Sequence, residues 1–145
     1  MNAQAQGQSG GEEKKTITLD RYGAQDIIDA IETLAMTAIC LRNDMPGCEK
    51  HKSARITLGR NFVKFYNPGK KTLITLVGSD VLLIIRSKNY KLILYGDNYF
   101  RLFKGDKLVA RGKKLTWNGT EEIYTPHEFF GFIRRTIRSI LDVGL

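Results

Sequence analysis

The chain has 145 residues, is 42% hydrophobic and carries a formal net charge of +8. This length and apolar content suffice for one domain with a hydrophobic core, and no apolar run approaches the roughly 20 residues that a membrane-spanning helix needs. The basic excess favours anionic partners, with nucleic acid first and an anionic membrane surface second. Residues 1–15 have no apolar signal-peptide segment and are predicted to form a disordered tail before a single domain of residues 16–145.

The first predicted element is a helix of residues 24–42. Apolar residues recur at helical spacing from Ile27 to Leu41. Asp26 and Asp29 place negative charge in the first turns, where the helix dipole favours it. Because its polar face is acidic, we expect this helix to pack on a sheet and not to touch phosphates.

The middle of the chain changes to a period of two, with short apolar runs separated by turn residues. The predicted strands are residues 55–58, 62–66, 72–77, 81–86, 90–95, 99–104, 107–111, 115–117 and 122–124. The turns leave no room for crossover helices, which predicts an antiparallel meander.

The last predicted element is a C-terminal helix. Thr125 and Glu128 have the spacing of a capping box, Pro126 occupies the first helical position, and Gly144 stands where a C-terminal cap belongs. The predicted fold is therefore α+β, with an antiparallel meander packed on one face by an N-terminal and a C-terminal helix.

The turns also predict a strand register. Taken as three-residue loops, residues 87–89 and 96–98 place Ile84 opposite Leu92 and Ile93 opposite Arg101. One face is then aliphatic and is expected under the helices: Leu82, Ile84, Leu92, Leu94, Phe100 and Leu102. The other face mixes rings, basic residues and aliphatics: Leu83, Ile85, Lys91, Ile93, Tyr95, Tyr99, Arg101 and Phe103.

The charge is concentrated on this sheet. Residues 52–114 contain fifteen Lys or Arg against three Asp, together with most of the Tyr and Phe. This combination is typical of proteins that hold a nucleic-acid backbone and stack on bases. We interpret the chain as a binding protein for single-stranded DNA or RNA without sequence specificity. The predicted contact residues are Arg60, Lys64, Lys91, Tyr95, Tyr99, Arg101, Phe103, Arg111, Lys113, Lys114 and Trp117.

Two other kinds of binding protein fit the same pattern. One is a small protein-interaction or regulatory subunit, including a viral inhibitor, whose partner covers the mixed face. The other is a peripheral binder of anionic lipid, although no basic amphipathic helix stands out. For the nucleic-acid-binding protein, Phe129 and Phe130 make the C-terminal helix a candidate contact in a homo-oligomer.

Catalytic and metal chemistry have weaker support. Cys40, Cys48 and His51 could supply three zinc ligands, but their spacing matches no paired motif. A Cys–His nucleophile using His51 or His127 lacks a recognisable elbow. We therefore predict no enzyme activity, catalytic residue, metal or cofactor, and the two cysteines suggest an intracellular protein of the cytoplasm or nucleoid.

The layout of a helix, an antiparallel meander and a C-terminal helix resembles the archaeal single-stranded-DNA-binding proteins of the ThermoDBP type. It is similar in outline to the sheet-plus-helix units of Whirly and PUR proteins. The resemblance covers most of the chain. It implies single-stranded nucleic-acid binding in a cleft or on a sheet, and an oligomer built through the terminal helix.

Overall fold

The computed structural model describes residues 12–117 and 122–144, which form an α+β fold as predicted. The strands are β1 (Glu12–Thr18), β2 (Arg55–Leu58), β3 (Phe62–Asn67), β4 (Thr72–Val77), β5 (Val81–Ser87), β6 (Tyr90–Tyr95), β7 (Phe100–Lys104) and β8 (Lys107–Thr116). The helices are α1 (Gln25–Arg42) and α2 (Pro126–Val143), with short 3-10 helices at Leu19–Tyr22 and Glu49–His51. Within these residues, neither helix combines the length and the apolar composition needed to cross a membrane.

The eight described strands form one mixed sheet in the order β1-β8-β7-β6-β5-β4-β3-β2. β2 to β8 form an antiparallel meander as predicted, but β1 pairs with β8 in parallel. The prediction of a purely antiparallel sheet was therefore wrong. The strands predicted at residues 107–111 and 115–117 are one strand, β8, and the strand predicted at residues 122–124 is only an isolated bridge between Tyr124 and Leu115. The helix predicted at residues 24–42 is confirmed, but a strand precedes it and it is not the first described element. β1 begins within the predicted tail, of which residues 1–11 lie outside the described residues.

The pairing of β1 depends on a close backbone approach at Gly112. A Cβ atom at this position would lie 2.6 Å from the carbonyl oxygen of Lys14, so any larger residue would push β1 away. Beyond this point Ile17 of β1 pairs with Leu115 and is completely buried. Because the two backbones lie this close, β1, which is otherwise highly charged, places the apolar side chain of Ile17 in the core.

The inner face of the sheet carries the core. Directly paired residues share a face, and one buried row crosses β3 to β8: Phe65, Ile74, Ile85, Leu92, Leu102 and Ala110. α1 lies over β4 to β6, and α2 lies beside α1 and over β8. The ring of Phe129 on α2 is 5.7 Å from the ring of Phe100. Both helices therefore cover one face and leave the other uncovered.

The predicted register was wrong between β5 and β6. Ile85, not Ile84, is opposite Leu92, so Leu83 and Ile85 lie on the inner face. The connection is a two-residue turn, in which Lys88 takes the left-handed region at φ 51°. Because lysine seldom occupies this region, so short a turn was not expected from the sequence. The predicted pairing of Ile93 with Arg101 in the next hairpin is confirmed.

The predicted capping box of α2 is confirmed. The backbone N–H of Glu128 donates to Thr125 Oγ1 over 3.2 Å, and the Thr125 N–H donates to Glu128 Oε1 over 2.9 Å. At the other end Gly144 takes φ 99°, which closes the helix in the left-handed region.

A disulfide joins Cys40 at the end of α1 to Cys48. No described cysteine is free, so neither Cys40 nor Cys48 has a thiolate to offer beside His51 to a zinc ion or for a nucleophilic attack. Structural disulfides persist mainly in oxidising compartments. The intracellular location stays a prediction.

Candidate functional site

The outer face of the sheet, opposite α1 and α2, is the candidate site. Two rows of directly paired residues cross it from β3 to β8. One row is Lys64, Thr75, Ile84, Ile93, Arg101 and Arg111. The other row is Tyr66, Leu73, Arg86, Lys91, Phe103 and Leu108. Basic residues therefore occur along the width of this face.

Seven predicted contact residues meet on β6 to β8 and the β6–β7 turn. This β6–β8 cluster consists of Lys91, Tyr95, Tyr99, Arg101, Phe103, Arg111 and Lys113. The Arg101 guanidinium lies 4.5 Å from the ring centre of Tyr95 and 5.8 Å from that of Tyr99. Arg111 and Lys113 approach the Tyr99 ring to 5.1 and 5.3 Å. Three cations thus surround one tyrosine.

Two carboxylates fix the arginines of the cluster. Arg101 donates to both carboxylate oxygens of Asp97, over 3.1 and 2.8 Å. This hydrogen bonding is the main reason why the pKa of Asp97 is lowered, and the Tyr99 backbone N–H adds to it. Arg111 donates from Nε to Glu13 over 2.8 Å. Each guanidinium is therefore held in one orientation beside the Tyr99 ring.

The two lysines of the cluster have no acidic partner among the described residues. Lys91 Nζ lies 5.0 Å from the centre of the Phe103 ring, while Lys113 is exposed. Between them Ile93 is only 7% exposed, which gives the surface an apolar floor. The cluster offers uncompensated positive charge, ring faces and guanidinium planes, which are groups that bind phosphates and stack on bases.

A second set of rings and cations lies at the far side of the same face. This β2–β3 group consists of Arg55, Phe62, Lys64 and Tyr66. Lys64 Nζ is 5.1 Å from the Phe62 ring centre, and Tyr66 is 46% exposed. The Phe62 ring packs over Gly59, where an added Cβ would lie 2.2 Å from it. On β4 and β5, apolar and hydroxyl side chains and one exposed arginine, Arg86, lie between this group and the β6–β8 cluster.

The remaining predicted contact residues lie elsewhere. Arg60 is in the turn beside the β2–β3 group. Trp117 stacks on Tyr124 with ring centres 5.2 Å apart and packs against the core, so it does not join the cluster. Lys114 lies towards α2, where it helps to lower the pKa of Glu128 after the larger effect of the hydrogen bonds with Thr125.

The sequence reasoning missed Arg55, Tyr66 and Arg86 as outer-face residues. Arg55 pairs with Tyr66, and Leu73 pairs with both Tyr66 and Arg86. Arg86 in turn pairs with Lys91, so all three belong to one row with Lys91. The signal that could have found Tyr66 is the alternation of side chains along β3: Phe65 is buried on the inner face, so Tyr66, the next residue, lies on the outer face. Arg86 was missed because the β5–β6 turn was predicted to have three residues and has two.

A cleft of about 520 Å³ lies on the other side of the sheet, between α1 and the strand turns. Its charged walls are mixed, with three carboxylates and three lysines: Asp26, Asp29, Glu32, Lys70, Lys71 and Lys88. Lys88 Nζ approaches Asp26 to 3.9 Å. Lys70 and Lys71 therefore belong to a compensated region and do not extend the basic outer face.

The described residues contain no group of three His, Cys, Asp or Glu side chains suited to a metal ion. The absence of catalysis and of a cofactor stays a prediction. No family model, curated protein or solved structure matches this chain. The likeness to ThermoDBP-type proteins therefore also stays a prediction.

Proposed function

We propose that the outer face binds single-stranded DNA or RNA without sequence specificity. The observation that carries this proposal is the convergence of Arg101, Arg111 and Lys113 on the Tyr99 ring. Guanidinium and ammonium groups attract the phosphate backbone, and ring faces accept any base. Both kinds of contact are independent of sequence, because neither reads the hydrogen-bonding edge of a base.

The residues of the cluster have different roles in this mechanism. Lys91 and Lys113 have no acidic partner among the described residues, so they capture phosphates directly. Arg101 stays hydrogen-bonded to Asp97, and Arg111 stays hydrogen-bonded to Glu13. Their remaining N–H groups are donated to the nucleic acid. Bases stack on the tyrosine rings or on the guanidinium planes, each stacked base contributing about 1–3 kcal/mol.

A single strand suits this surface better than a duplex. Stacking on side chains requires bases that are not already stacked inside a helix. Of the two helices, α1 has exposed Asp29 and Glu32 on its polar face and would repel a phosphate backbone. The face that carries the rings is a sheet, which can hold unpaired bases side by side.

The test compares two variants that each lose three positive charges. One carries Lys91→Gln, Arg111→Gln and Lys113→Gln on the outer face. The control carries Arg134→Gln, Arg135→Gln and Arg138→Gln on the exposed side of α2, on the helix side of the sheet. Fluorescence anisotropy with a labelled oligothymidylate at about 50 mM salt should show about a tenfold loss for the first variant only.

Two results would contradict the proposal. The first is that the native chain binds no single-stranded DNA or RNA at this salt concentration. Alternatively, both triple variants could lose the same affinity, which would mean that net charge and not the outer face governs binding. Circular dichroism of each variant confirms that the fold is retained.

An acidic protein partner is the second candidate occupant of the outer face. Tyr66 on the outer face is 46% exposed and pairs with the basic residue Arg55 on the edge strand β2. Exposed apolar groups beside basic residues are common in protein interfaces. This alternative predicts that no oligonucleotide binds, so the same anisotropy experiment distinguishes it.

A further inference from the structure

We infer that a bound single strand crosses the β-strands, from the β6–β8 cluster to the β2–β3 group, and covers about four to seven nucleotides. This inference rests on the proposed function and adds a path and a site size to it. Its basis is that the outer face has two sets of rings and cations at opposite sides of the sheet, with mostly uncharged side chains and a single arginine, Arg86, on β4 and β5 between them.

The paired residues define the path. Lys64 of β3 is linked to Arg111 of β8 through Thr75, Ile84, Ile93 and Arg101, with one residue from each intervening strand. Five strand spacings of about 4.8 Å separate the two ends of this row, which gives about 24 Å. Both ends carry cations close to rings, at Phe62 and at Tyr99.

This distance sets the length of the bound strand. At the roughly 3.4 Å rise of a stacked strand, about seven nucleotides span about 24 Å. A strand whose bases are unstacked is more extended, so fewer nucleotides cover the same distance. The resulting range of about four to seven lies at the lower end of site sizes known for single-strand-binding folds, about 4–16 nucleotides.

The surroundings disfavour a path along the strands beyond Tyr95. At that end of the sheet the backbone N–H of Gly96 donates to the carbonyl oxygen of Asp80, which brings two turns together. One of these turns carries Asp80, whose negative charge repels phosphates, and the other carries Asp97, whose carboxylate is already occupied by Arg101. The row across the sheet passes instead over Thr75 and Ile84, which carry no charge.

The middle of the face has a role of its own. Ile84 and Ile93 are neighbours on β5 and β6, and Leu73 and Thr75 lie on β4. These side chains offer apolar contact to bases and sugars but no anchor for a phosphate. Arg86 is the basic side chain beside them, so most phosphate contacts lie at the two sides of the face and a strand must reach both groups to bind at full affinity.

The experiment measures affinity as a function of length. Labelled oligothymidylates of 3, 5, 7, 9 and 12 nucleotides are titrated by fluorescence anisotropy at one salt concentration. The dissociation constant should fall steeply up to about seven nucleotides and change little beyond that length, apart from the statistical gain of longer oligomers.

A variant of the distant group tests the path. Lys64→Glu combined with Tyr66→Ala should weaken binding of the 9-mer at least fivefold and leave the 3-mer unchanged, because the 3-mer reaches only the β6–β8 cluster. The control is Lys50→Glu combined with Met45→Ala, which makes the same change of charge at exposed positions on the helix side. The control should bind both oligomers like the native chain.

The outcomes separate the inference from the proposed function. If oligomers bind but affinity reaches its plateau at three nucleotides, or if the Lys64 variant weakens the 3-mer and the 9-mer equally, the path is wrong and the binding function remains. If no oligomer binds, the proposed function itself fails. A plateau near seven nucleotides with a loss confined to longer oligomers supports both.

Discussion

The arginines of the β6–β8 cluster are fixed before any ligand arrives. Arg101 is held by two hydrogen bonds to Asp97 and lies over the ring of Tyr95. A flexible side chain loses about 1.5–2 kcal/mol of conformational entropy when it is ordered. Because these contacts already restrict the guanidinium, a ligand that binds to it incurs less of that cost.

His51 is a buried titratable residue outside the outer face. The Thr37 hydroxyl donates to the Thr33 carbonyl over 2.8 Å, so its oxygen can accept from Nδ1 of His51 at 3.3 Å. This contact requires the hydrogen on Nδ1. Burial, followed by the charge of Lys70, lowers the pKa of His51 from its ordinary value of 6.5. The folded chain therefore favours the neutral ring.

This shift predicts a loss of stability in mild acid. Between pH 6.5 and the lower folded pKa the unfolded chain binds the proton and the folded chain does not, so the free energy of unfolding falls as the pH falls. Urea unfolding at several pH values from 7 to 5 should show this slope. His51→Gln should reduce it, and His127→Gln, at an exposed position, should not. An unchanged slope in the His51 variant would refute the prediction.

At the scale of elements, local signals determined what the sequence could predict. The helix boundaries near Gln25 and Thr125 and most strands of the meander follow from periodicity, caps and turns. β1 could not be predicted, because Glu12–Thr18 is highly charged and its pairing with β8 spans most of the chain. The β5–β6 register failed at one residue, Lys88, whose backbone conformation is rare for lysine.

The same limit applies to the candidate site. The charge count identified the strands that carry the β6–β8 cluster, and the confirmed β6–β7 register brought Tyr95, Arg101 and Phe103 to one face. The sequence could not show that Asp97 and Glu13 anchor the arginines, because Glu13 lies 98 residues from Arg111. Trp117 was assigned to the binding surface, because an aromatic residue that follows two lysines is as compatible with the rim of such a surface as with the core.

The cap of α2 gives a stability prediction at this scale. Thr125→Ala removes the acceptor of the Glu128 N–H and should lower the free energy of unfolding by about 1 kcal/mol. Glu128→Gln keeps a side chain that can accept from the Thr125 N–H and should cost less. Urea unfolding followed by circular dichroism measures both variants. The capping role is refuted if Thr125→Ala is as stable as the native chain.

On the scale of the whole molecule, positive charge occurs on two sides. Among the described residues, the outer face of β2 to β8 carries Arg55, Lys64, Arg86, Lys91, Arg101, Arg111 and Lys113. On the helix side Arg134, Arg135 and Arg138 are exposed on α2, and none forms an ion pair within the described part of the chain. The net charge of +8 alone does not say which side binds an anionic polymer.

The salt dependence of binding separates these two arrangements. For single strands, the slope of log K against log salt is about −0.7 for each phosphate contacted. A strand that crosses only the outer face and contacts about four phosphates should give a slope near −3. A strand that also wraps onto the three arginines of α2 contacts about seven phosphates, which gives a slope near −5.

We expect a slope near −3, because the acidic residues Asp29 and Glu32 of α1 lie on the helix side and oppose a continuous path. Anisotropy titrations of a 12-mer at several salt concentrations between about 50 and 200 mM measure this slope. A value near −5 that returns to about −3 in the α2 triple variant would show that the strand leaves the sheet and would contradict binding on the outer face alone.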